Sequence, residues 1–202
     1  MDWDWYKEVN NLSLKDQWKK LFERKMKLRG NKGGFWGGGK IKHNAKTISD
    51  YLPELFERHN IKSMLDVGCG NFGWMCDVNL SGVKYKGVDI VQDLVDMNKE
   101  KYQKDFECFN IVESIPKKYD LVMLRSVFIH LTNRDILKAI DNVKKSGSKY
   151  MLASTSPNIK HNKDTECLML VNRNLEIEPF NLGKPIELIN ERYEIYMGLW
   201  KL

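Results

Sequence analysis

The sequence has no pair of cysteines at metal or redox spacing. Cysteines 69, 76, 108 and 167 form no C-x-x-C pair, and no His/Cys/Asp/Glu cluster has the spacing of metal ligands. Reduced, structural cysteines and no metal are the expectation, with Cys69 and Cys108 in or beside buried strands. No apolar run reaches the roughly 20 residues that a membrane-crossing helix needs. The opening Met1-Asp-Trp-Asp-Trp-Tyr6 is acidic and aromatic, unlike the basic and apolar start of a secretory signal. A cytoplasmic protein without a membrane partner is expected. No internal repeat is visible, which excludes a solenoid.

What remains is a chain of 202 residues, 42% apolar and 11% aromatic, enough for one α/β domain with an N-terminal appendage. The net charge of +6 is uneven: residues 1–48 hold 12 Lys and Arg against 5 Asp and Glu, and the remaining 154 residues hold 21 against 22. Any attraction for an acidic partner therefore resides in the N-terminal segment, where a solvated helix face is the simpler reading and a nucleic-acid surface the alternative.

The informative stretch runs from Ser63 to Asp89. Met64, Leu65 and Val67 suit a buried parallel strand, and Gly68, Gly70 and Gly73 follow at once. Such glycines admit a ligand where a β-carbon would clash, with a helix expected to start near Asn71 and carry Phe72, Trp74 and Met75. About twenty residues on, a second β-rich run ends in Asp89, where an acid grips ribose hydroxyls. The glycine spacing alone also fits dinucleotide binding. Asp66 decides the matter, because a carboxylate before the first glycine repels a pyrophosphate and suits a cationic ligand. The competing reading is that Asp66 and Asp89 only cap turns.

The run Leu65-Asp-Val-Gly-Cys-Gly70 resembles motif I of the class I S-adenosylmethionine-dependent methyltransferases. The resemblance implies a Rossmann-like, seven-stranded, mostly parallel sheet with helices on both faces and an antiparallel last strand. It implies S-adenosyl-L-methionine as cofactor, held by Asp66, Gly68, Cys69, Gly70, Asn71, Trp74, Asp89 and Ile90. Asn110 and Ile111, after a short third strand, become the adenine edge. Trp36-Gly-Gly-Gly39, Leu52-Pro-Glu-Leu55, Asn71-Phe-Gly-Trp-Met75, Ser146-Gly-Ser-Lys-Tyr150 and Phe180-Asn-Leu-Gly-Lys-Pro-Ile-Glu187 look like a bacterial subgroup linked to surface-glycan or small-molecule modification. That subgroup usually has an acid where this chain has Ser126.

Residues 1–43 are expected to form the appendage and 44–202 the methyltransferase domain. Leu14, Trp18, Leu21, Phe22 and Met26 recur at helical spacing within Leu12–Arg29, with Ser13 and Asp16 as a capping box. Six glycines fall between Gly30 and Lys40 around Phe35 and Trp36; a lid over a flat ring and a plain hinge are both compatible. The segment 44–60 reads as a helix broken or kinked near Pro53.

Tyr119–Arg125 is the clearest strand, and its end sets Arg125, Ser126 and His130 beside the crevice. Methyl transfer is an in-line displacement, so the protein mainly positions the nucleophile and excludes water. His130 is the candidate general base for a hydroxyl nucleophile, or else a core histidine. Arg125 is the candidate fork for cofactor or for an anionic substrate group, or else the partner of a structural ion pair. Asn158, Asn162 and Arg173 are weaker substrate candidates. The expected reaction is methylation of an oxygen, less readily a nitrogen, of a small molecule, a sugar or another glycan precursor, or a phosphorylated intermediate. RNA or DNA methylation is disfavoured by the lack of an Asn-Pro-Pro-Tyr type motif after strand four. A non-catalytic partner subunit docked through the Trp18 helix is the remaining alternative, and a homodimer is compatible with the sequence.

Overall fold

Alternation with a period of two organises the centre of the molecule. In β1 (Ser63–Val67) Met64 and Asp66 turn to one face and Leu65 and Val67 to the other. The computed structural model describes residues 3–29, 46–166 and 168–202. Trp36, Phe35, His43, Cys167, the rest of the glycine-rich stretch and the 43/44 boundary lie outside the described residues.

With β2 (Lys84–Asp89), β3 (Phe106–Cys108), β4 (Leu121–Leu124), β5 (Tyr150–Thr155), β6 (Glu187–Arg192) and β7 (Ile195–Lys201), the sheet has the order β3-β2-β1-β4-β5-β7-β6. Neighbouring pairs among β1 to β5 are parallel, and β7 runs antiparallel to both β5 and β6. All the parallel strands thus deliver their carboxyl ends to one edge, where the order reverses between β1 and β4. At the opposite edge Asp120 accepts from the amides of Lys62 and Ser63 at 2.9 and 3.0 Å, which ties β4 to β1. His59 contacts Glu187, away from the strand ends that carry the site.

Two cores sandwich the sheet. On one face lie Ile48, Leu52, Leu55 and Phe56 of helix α3 (Lys46–Arg58), with Met64, Met123 and Leu152 beneath them. Of the break or kink expected near Pro53, no break occurs. The helix is continuous, because residues on both sides of the proline are fully buried and their packing offsets a cost of roughly 3 kcal/mol. On the other face helix α5 (Asn133–Lys145) lays Ile136, Ala139, Ile140 and Val143 on Val122 and Leu124. Thr132 caps it by accepting from the amide of Asp135.

The appendage is a helical hairpin of α1 (Trp3–Asn10) and α2 (Leu14–Arg29). Half of the expected capping box is present: Ser13 Oγ accepts from the Asp16 amide at 3.2 Å, and the Asp16 carboxylate accepts from the Ser13 hydroxyl, at 2.6 Å, in place of its amide. Gln17 closes the corner by donating to the carbonyls of Asn10 and Leu12. The apolar stripe of α2 rests on the main domain, with Phe22 packed on Val91 and Leu94 at the start of helix α4 (Gln92–Tyr102).

Candidate active site

The glycine turn follows from hydrogen bonding at the end of β1. The amides of Gly68 and Cys69 both donate to the Val88 carbonyl, at 2.8 and 3.0 Å, and fold the chain back on β2. This needs a left-handed residue at Gly68 (φ +69°), and a β-carbon there would lie 2.7 Å from Val127 Cγ2. Gly70 is left-handed too, and its amide donates to Asp89 at 3.1 Å. Asn98 of α4 donates to the Gly70 carbonyl at 2.7 Å. The turn is thereby held by β2 and α4 together.

The helix expected to start near Asn71 is not there. Asn71 Oδ1 accepts from the Gly73 amide at 3.0 Å, and Phe72 adopts a left-handed backbone (φ 57°). Its fully buried ring packs among Tyr85, Tyr102 and Phe106. Only a single 3-10 turn, Met75–Asp77, follows. The aromatic anchor competes with helix formation and wins, so no helix dipole points into the crevice from this segment.

Two buried carboxylates flank the turn. Asp66 receives the Tyr85 hydroxyl at 2.8 Å. Burial raises its pKa to about 7, against the opposing pull of that bond and of Arg125. Asp89 accepts from the amides of Gly70 and Val91, both at 3.1 Å. Burial pushes its pKa up as well, and the two amide bonds oppose the shift. Asp89 therefore caps the glycine turn and the entry to α4, whereas Asp66 is bonded by a side-chain hydroxyl from β2.

Arg125, one residue beyond β4, stacks its guanidinium 4.7 Å above the Trp74 ring. It also donates from Nη2 to Glu191 of β6, so the ion pair considered for Arg125 is present, with a partner 66 residues away. Next to it Ser126 is left-handed (φ 57°), and its amide donates to Ser154 of β5 at 2.8 Å. His130 closes a 3-10 turn, Phe128–His130. Its imidazole meets Trp18 of α2 edge to face, and burial lowers its pKa to about 4. Its Nδ1 is buried without a hydrogen-bond partner.

Asn110 Oδ1 accepts from the Val112 amide at 3.0 Å, while Nδ2 is buried and unpartnered. Asn110 thus offers an adenine edge a donor. The Ile111 side chain is packed in the core, and Ile90 packs near Phe22. Cys69 is a buried free thiol whose pKa is raised by burial. Asn158 is exposed. Asn162 is committed to the backbone of Asn174 and Glu178. Arg173 is buried and donates to the carbonyls of Val171 and Leu131, so it braces the loop after β5 against the chain beyond β4. A cavity of about 480 Å³ opens between the α1–α2 corner and the start of α5, lined in part by Gln17, Val112, Thr132 and Lys138. It borders the Asn110 side of the crevice and not the two acids.

Among the described residues no group of three or more His, Cys, Asp and Glu side chains is arranged to hold a metal ion, and no helix is long and apolar enough to cross a membrane. The residues present suit a cofactor with adenosine at one end and charges of both signs at the other: an orphaned amide donor at Asn110, an acid at the end of β2, and Asp66, Arg125 and Glu191 beyond the glycine turn.

Residues 65–152 match the profile of a methyltransferase domain. No curated protein matches the chain. Among solved structures, the chain is similar to magnesium protoporphyrin IX methyltransferase from Synechocystis with bound S-adenosylmethionine, at 16% identity and a TM-score of 0.65, over 94% of this chain and 97% of that one. A methyltransferase from Clostridium acetobutylicum is similar at 13% identity and a TM-score of 0.60, over 91% and 98%. Human N-acetylserotonin methyltransferase is similar at 13% identity and a TM-score of 0.61, over 80% of this chain and 53% of its own. At these identities the likeness establishes the fold, and the matched profile runs from within β1 to within β5, including the turn and both acids. Residues 65–152 carry a methyltransferase domain, set in the Rossmann-like fold that the chain shares with S-adenosylmethionine-binding methyltransferases.

Proposed function

We propose that this methyltransferase methylates an oxygen, less readily a nitrogen, of a neutral small molecule or sugar, with surface-glycan precursors among the acceptors to test. The observation that carries this reading is the engagement of Arg125 by Glu191. With Nη2 held by Glu191, the guanidinium keeps a buried Nε for one more contact and no free bidentate fork for an anionic acceptor. Asp66, Asp89 and Glu191 around it also disfavour a phosphate-rich strand such as nucleic acid.

S-adenosylmethionine supplies a methyl group made electrophilic by its positive sulfur. The chain's own residues do the rest. Asp89 and the Asn110 amide orient the nucleoside, and Asp66 offsets positive charge beyond the glycine turn. Trp18 and the buried turn at Phe128–His130 exclude water. His130, uncharged at neutral pH, offers a lone pair to the proton of an acceptor hydroxyl.

The test is release of S-adenosylhomocysteine across a panel of sugars, sugar nucleotides, phenols, amines and oligonucleotides. Turnover with hydroxyl acceptors, reduced roughly 10²–10⁴-fold in His130→Ala, is expected. Turnover confined to oligonucleotides or to phosphorylated acceptors would replace this reading.

A further inference from the structure

We propose that Arg125 and Glu191 together clamp the α-amino-acid end of the cofactor, the guanidinium facing its carboxylate and Glu191 facing its ammonium. The inference rests on the cofactor assignment and specifies which residues of this chain read the cofactor's charged end.

The first observation is what the ion pair leaves unsatisfied. One nitrogen of Arg125 meets one oxygen of Glu191. Arg125 Nε and Glu191 Oε2 are each buried without a hydrogen-bond partner. The side chains are 10% and 1% exposed. A buried donor and a buried acceptor of opposite charge, side by side and each lacking one bond, make an unfavourable arrangement for packing alone. A lone anion satisfies the guanidinium but is repelled by Glu191, and a lone cation does the reverse. A zwitterion satisfies both.

The second observation is placement. Arg125 follows directly on β4, near enough to Asp66 to pull its pKa down, and lies against Trp74 of the loop after β1. Glu191 comes from β6, at the register shift between Asn190 and Arg192, where it has no paired residue on β7. It keeps the inward phase of the buried Ile189 two positions earlier. The pair therefore joins two strand ends on the same edge of the sheet as Asp66 and Asp89. It lies beyond the glycine turn from Asn110, at the end of the crevice away from the nucleoside residues.

Calorimetry with three probes tests this: S-adenosylhomocysteine, 5′-methylthioadenosine, which lacks the amino acid, and the decarboxylated amine analogue of S-adenosylhomocysteine. Arg125→Met and Glu191→Gln should each weaken S-adenosylhomocysteine about tenfold to a hundredfold, as expected for one charge-assisted contact. Binding of 5′-methylthioadenosine should change less than about twofold. The parent should prefer S-adenosylhomocysteine over the amine analogue by a similar factor, a comparison that needs no variant and holds if one fails to fold. Equal weakening of both nucleosides in the variants would mean that the pair only braces the crevice, and it would overturn the proposal. So would a parent that binds S-adenosylhomocysteine and the amine analogue equally. A parent that binds none of the probes would instead overturn the cofactor assignment and the clamp with it.

Discussion

The indole of Trp18 stands edge-on to the imidazole of His130, ring centroids 5.0 Å apart and planes at 87°. Helix α2 therefore lies across the carboxyl edge of the sheet, touching the β2–α4 junction through Phe22 and the chain beyond β4 through Trp18. Trp18→Ala should remove about 0.5–1.5 kcal/mol of aromatic pairing and admit water to the imidazole. The His130 pKa should then climb from about 4 towards its ordinary 6.5. Titration of the imidazole C–H resonances checks this; an unmoved pKa would mean that other residues keep the ring dry.

His130 also makes folding sensitive to acid. Its folded pKa lies below its unfolded one, so the unfolded chain binds more protons between them. Stability should fall as pH drops from about 6.5 to about 4, by about 3 kcal/mol from this residue. His130→Gln should lose that dependence in denaturant titrations across the window. The same slope in parent and variant would show that the imidazole is hydrated in solution.

Asp66 acts in the opposite direction. Its folded pKa of about 7 lies above the unfolded 3.8, so stability is lost as pH rises between them. Asp66→Asn should be the more stable protein relative to the parent at pH 8, and least so at pH 4. Affinity for S-adenosylmethionine should rise through pH 7 in the parent, as the carboxylate ionises, and stay flat in the variant. A parent whose affinity does not change between pH 6 and 8 would remove Asp66 from charge recognition.

Gly68→Ala should lose about 1–2 kcal/mol from the left-handed backbone, plus the displacement of Val127, which the new methyl would meet at 2.7 Å. Because Gly68 and Cys69 hold the turn on Val88, cofactor affinity should fall with stability. Thermal unfolding and calorimetry on the same sample check the two together. Gly82→Ala is the control, left-handed but with open space around it, and should lose only the backbone part.

Residues 63–89 show which kinds of information are local. Alternating apolar positions in β1, the glycines after it and Asp89 at the end of β2 are set by backbone sterics and by a period of two, and all were legible. The helix after the turn was not, because Phe72 is drawn out of helical geometry by Tyr85, Tyr102 and Phe106, rings contributed by three other elements. Pro53 does not break its helix for a similar reason: burial on both sides outweighs a local penalty.

The sequence by itself determined the strand pattern, the place of the glycine turn, the N-cap at Ser13 and the two acids at strand ends. Each is legible from residues within a few positions of one another. The tertiary structure alone decided that Tyr85 holds Asp66, that Asn98 holds Gly70, that Trp18 covers His130 and that Glu191 answers Arg125. Those pairings cross strands and helices, and they exist only once the β3-β2-β1-β4-β5-β7-β6 order brings the strand ends to one edge. Packing of the two sheet faces selects that order, and no single stretch of chain encodes it.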